Sequence, residues 1–78
     1  MTHSQAGQEA VAFVFNQINI GVVKVPTEIT LQSIFKATGA SVQCIGGAFD
    51  DYIEPQLAAK GYMARKCGSP VRIQISRK

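Results

Sequence analysis

Six basic residues, Lys60, Arg65, Lys66, Arg72, Arg77 and Lys78, crowd the end of the chain, and residues 60–78 contain no acid. That stretch carries +6. Residues 1–59 carry −3, with Lys24 and Lys36 set against Glu9, Glu28, Asp50, Asp51 and Glu54. Ammonium and guanidinium groups held together neutralise phosphodiesters and release their counterions, so a block of one sign points to a phosphate-facing surface. A solvated tail with a basic bias is the plainer alternative.

The other reactive side chains lack partners in the sequence. Asp50, Asp51 and Glu54 have the types needed for acid–base work, but no His, Ser or Lys clearly converges on them. A solvated helix face, or a surface for a basic protein, is the simpler reading. Cys44 and Cys67 are 23 positions apart without a CxxC or Cys/His spacing, and His3 is the one histidine. Neither a metal site nor an activated thiol is expected from that set. The chain is read as non-enzymatic, with no cofactor and no evident small-molecule substrate.

At 78 residues and 46% apolar content, one domain with a thin core is expected. No run reaches the roughly 18–20 apolar residues of a membrane span, and no basic segment leads into an apolar one. A cytoplasmic protein with reduced thiols and no membrane partner is expected.

The cations need elements to hold them. Val11, Val14, Phe15 and Ile18 recur at helical spacing, which predicts a helix over Gln8 to Ile20, capped by Ser4 and stopped by Gly21. Val22 to Val25, closed by Pro26, reads as a short edge strand or linker. From Ile29 to Gly39, Thr30 is the cap, Leu31, Ile34 and Phe35 the buried stripe, and Gly39 the stop. Ser41 can cap a third helix. Gly46-Gly47 weakens its start and Pro55 favours a kink, while Phe49, Tyr52, Ile53 and Leu57 keep helical spacing. The helix is therefore predicted from Gly47 to Lys60, with Val42 to Ile45 an irregular turn or a separate first turn, and Gly61 as the stop.

Beyond Gly61 the period changes to two. Val71 to Ser76 alternates apolar and polar, Tyr62 to Lys66 is a partner strand, and Cys67-Gly68-Ser69-Pro70 is the connection. Val71, Ile73 and Ile75 are expected to cover the helices, with Arg72 and Gln74 outward.

This order predicts an α+β domain over residues 1–78, a small winged helix of three helices, a short edge strand and a carboxy-terminal β-hairpin wing. The stretch Ile29 to Ser41 resembles the entry into the helix-turn-helix of many winged-helix regulators. Phe49 to Met63 is similar to the third helix and first wing strand of the carboxy-terminal domain of the bacterial Holliday-junction branch-migration motor. The most specific element shared is Glu54-Pro55 followed by Gly61-Tyr62. The resemblance implies a wing that meets DNA. It does not extend to a motor, because no GxxxxGK[ST] loop is present. Cys67, Gly68 and Ser69 stand where that family has arginines at the wing tip.

The resulting expectation is a small non-catalytic regulator or accessory factor that binds double-stranded DNA. Arg65, Lys66 and Arg72, helped by Arg77 and Lys78, would contact phosphates from the wing. Lys36 and Lys60 would add backbone contacts, and Ser41 and Gln43 would face the groove. The alternative is a protein-interaction module, or a homodimer, using the acidic third helix and the wing.

Overall fold

Thr2 opens the first helix with a reciprocal cap. In the computed structural model, which describes residues 2–21 and 24–78, its hydroxyl accepts the Gln5 N–H at 3.1 Å, and its own N–H donates to Gln5 Oε1 at 3.0 Å. Helix α1 therefore runs His3–Asn19, longer than predicted and capped by Thr2 instead of Ser4. Its early buried face is built from Ala6, Gly7 and Ala10, which carry little apolar signal.

The short strand also lies elsewhere than expected. Strand β1 is Thr27–Thr30, after Pro26, and Lys24 and Val25 are outside it. The Val22-Val23 half of the expected strand lies outside the described residues. Ile29 supplies the buried side chain of β1, and Thr30 ends the strand while capping the next helix.

Helix α2, Leu31–Thr38, matches its prediction. The Thr30 hydroxyl accepts the Ser33 N–H at 3.1 Å, and Gly39 ends the helix with φ of 80°. Phe35 departs from the expected stripe, at 40% exposed, so Leu31 and Ile34 alone form the buried face.

The third helix starts earlier than predicted. Ser41 accepts the Cys44 N–H at 3.1 Å, and α3 spans Val42–Ala48 straight through the glycine pair. A π-helical segment, Phe49–Ile53, and then α4, Glu54–Ala59, continue the same right-handed path. Pro55 explains the change of hydrogen bonding. It has no N–H for a carbonyl one turn back, and the Glu54 N–H reaches five residues back to Phe49 O.

Helix α1 crosses the third helix closely at Gly47 and at its own Gly7. A Cβ on Gly47 would stand 2.7 Å from the His3 ring. A Cβ on Gly7 would stand 3.0 Å from Tyr52 Cδ1 and 3.2 Å from the Ala48 Cβ. Gly46 is different, because a Cβ there meets only Leu31 Cδ1 at an ordinary 3.9 Å. Gly46→Ala is expected to stabilise the protein by about 1 kcal/mol through helix propensity. Gly7→Val is expected to destabilise it by about 2 kcal/mol through overpacking. Thermal unfolding should move in opposite directions for the two variants.

Strands β2, Tyr62–Cys67, and β3, Arg72–Arg77, form the hairpin, with β3 central in an antiparallel sheet of order β1-β3-β2. Ile29, Ile73, Ile75 and Ala64 turn inward, where they close a core with Val14, Ile34, Ile45, Ile53 and Leu57. Val71 does not join them. It sits in the turn before β3, 36% exposed, with its carbonyl accepting the Leu31 N–H at 3.2 Å. The result is an α+β domain in a winged-helix-like arrangement. No helix among the described residues is long and apolar enough to cross a membrane.

Candidate functional site

The wing is fastened to the third helix at the end of α3. Lys66, on β2, donates from Nζ to Gly46 O at 3.2 Å and lies 5.8 Å from the Phe49 ring centroid. Ser41 and Gln43 are exposed on the first turn of that helix, and Lys36 is exposed in the last turn of α2. No acid occurs between Val42 and Phe49. Asp50, Asp51 and Glu54 are exposed further along, on the π-helical segment and the start of α4.

The strand register divides the basic residues. Arg65 stands opposite Gln74, and Cys67 opposite Arg72, on the sheet face away from the helices. Lys66 pairs with Ile73 and shares the inward-facing side at the rim. Arg77 pairs with Tyr62 at the other end of the ribbon, where its guanidinium carbon is 5.8 Å from the Tyr62 ring centroid. Lys78 donates its backbone N–H to Gly61 O at 3.0 Å, and Lys60 follows α4 at that same end. Tyr62 and Lys66 are about 13 Å apart along an extended strand. Lys66, Arg72 and Arg65 therefore form a group toward the wing tip, and Lys60, Arg77 and Lys78 form a second group at its base.

Arg72 and Gln74 are held by a residue the sequence reading did not single out. Gln74 Nε2 donates to Glu28 Oε2 at 2.7 Å across the β1–β3 pairing. Arg72 Nε lies 3.2 Å from Glu28 Oε1. That nitrogen is shielded from solvent but makes no well-directed hydrogen bond, so the contact is a charge pair. The guanidinium rests over the wing turn, where a Cβ on Gly68 would meet Arg72 Nη1 at 2.5 Å. The Gln74 amide, followed by the Arg72 guanidinium, holds the exposed Glu28 carboxyl below its ordinary value. A hollow of about 480 Å³ lies over this sheet face, lined in part by Glu28, Met63, Arg65, Gln74 and Ser76.

Glu28 was hidden from sequence reasoning because its partners are distant along the chain, Gln74 being 46 residues away. The available signal was the alternation of Thr27, Glu28, Ile29 and Thr30, which marks Glu28 as a strand residue facing away from Ile29.

Cys44 and Cys67 are half-buried and form no disulfide. Among the described residues, no group of three or more His, Cys, Asp or Glu side chains is placed to hold a metal ion. Comparison with protein families, curated proteins and solved structures finds no match to this chain.

Proposed function

We propose that this protein is a non-catalytic DNA-binding module of winged-helix-like form, a small regulator or accessory factor that meets the phosphate backbone with its wing. The observation that carries the reading is the folding of the basic block into a β-ribbon fastened to the acid-free α3. One face of the hairpin closes the core, so phosphates are met from its open face and from its rim. Arg65 and Arg72 on the open face, with Lys66 at the rim, suit that contact. Ser41 and Gln43 face the neighbouring groove, and Lys36 adds a backbone contact. Lys60, Arg77 and Lys78 belong to the far end of the ribbon and serve longer-range attraction.

Titration of a duplex by fluorescence anisotropy tests this reading. Binding at low salt that weakens steeply as salt rises is the expected outcome, and absence of binding at low salt rejects it.

A second reading is favoured by the exposed Asp50, Asp51 and Glu54 on the third helix, which suit a basic protein partner. Capture of partners from a lysate before and after nuclease treatment separates the two. Partners that survive nuclease support the protein-binding reading.

A further inference from the structure

We infer that Glu28 is a carboxylate latch which competes with phosphate for Arg72 and so sets how tightly the wing binds a polyanion. The inference rests on the proposed DNA-binding reading and assigns an affinity-setting residue within it. Three observations lead to it. The Glu28 carboxylate receives Gln74 Nε2 at 2.7 Å, which anchors it at the centre of the open sheet face. It faces Arg72 Nε at 3.2 Å in a contact that satisfies charge but leaves that nitrogen without a directed hydrogen bond. The Arg72 and Glu28 side chains are 36% and 46% exposed although Nε itself is shielded, so an incoming phosphate can reach the guanidinium beyond Nε.

A phosphate and a carboxylate make the same kind of contact to a guanidinium, and a phosphodiester offers the fork geometry that Arg recognises. Arg72 in the free protein already has an anion, although an imperfectly aligned one. Binding DNA through Arg72 exchanges one anion for another, and the net gain from this residue is small. Removing the charge of Glu28 while keeping its shape frees the guanidinium. The amide of a glutamine still accepts from Gln74, and the backbone pairing of Glu28 with Gln74 is untouched.

The test is a double-mutant cycle on the full chain with a fluorescent duplex at several salt concentrations. Glu28→Gln should tighten binding roughly fivefold at low salt and steepen the salt slope by about one unit, as expected for one added phosphate contact. Arg72→Gln alone should weaken binding by about twofold or less, because the residue is largely engaged already. In the Glu28→Gln background the same substitution should erase the whole gain. Glu9→Gln, which removes an acid from the exposed side of α1, measures the effect of net charge alone and should leave the slope unchanged. If the wild type binds but Glu28→Gln behaves like Glu9→Gln, the latch is wrong and the DNA-binding reading stands. If the wild type binds no duplex, that reading fails and the latch is judged from the Arg72 side chain itself. Its Nε–H should exchange with solvent faster by NMR in Glu28→Gln than in wild type, and equal rates would overturn the latch.

Discussion

Ile53→Ala is expected to remove most of the stability of this domain. Ile53 is fully buried at the end of the π-helical segment and is followed one turn later by the fully buried Leu57. Both belong to the buried cluster that joins α1, the third helix and the sheet. Truncating such a side chain costs about 3–4 kcal/mol, from lost transfer energy and from the cavity left behind. A chain of this size has a total stability of only about 5 kcal/mol. Urea unfolding followed by circular dichroism should show the midpoint falling by about 3 M at an unchanged slope. Phe35→Ala is the matching control. The spacing of α2 places Phe35 in its buried stripe, but the side chain is 40% exposed, and its loss should cost under about 1 kcal/mol.

The second large effect concerns binding. Replacing Arg65, Lys66 and Arg72 together by glutamine is expected to weaken duplex affinity at least about a hundredfold at low salt, because up to three phosphate contacts disappear. Most of that loss should come from Arg65 and Lys66, since Glu28 already engages Arg72. The slope of affinity against salt should fall by about two to three units in the same titration. The same triple substitution at Lys60, Arg77 and Lys78 should cost much less, because those residues stand at the base of the ribbon, away from the third-helix start. Equal losses from the two triples would mean that net charge, and not the wing tip, governs binding.

Some elements were readable directly. Helix α2 has its cap, buried stripe and terminating glycine within Thr30 to Gly39, and all three signals are local. Strand β3 was readable because strict alternation over Arg72 to Ser76 has no helical counterpart. Other elements depend on distant contacts. The start of α1 is buried through Ala6, Gly7 and Ala10, residues whose value lies in letting another helix approach. The start of α3 was masked by Gly46-Gly47, whose propensity penalty is offset by the Ser41 cap and by the packing of α3 on α1 and α2. Strand β1 was displaced because four residues of modest β-propensity become a strand only when β3 offers them a register.

The site divides in the same way. The basic block and its placement on a hairpin were plain from composition and period. The separation of its members into a tip group and a base group follows from the pairing of β2 with β3. The engagement of Arg72 by Glu28 brings together distant parts of the chain, and no local spacing announces it.

The central claim is that the wing is a phosphate-binding ribbon, and the salt dependence of duplex affinity measures that directly. A logarithmic plot of the wild-type association constant against salt should fall with a slope between about −2 and −4, which corresponds to the few cations near the wing tip. A flat plot, or no measurable complex at the lowest salt, would contradict it.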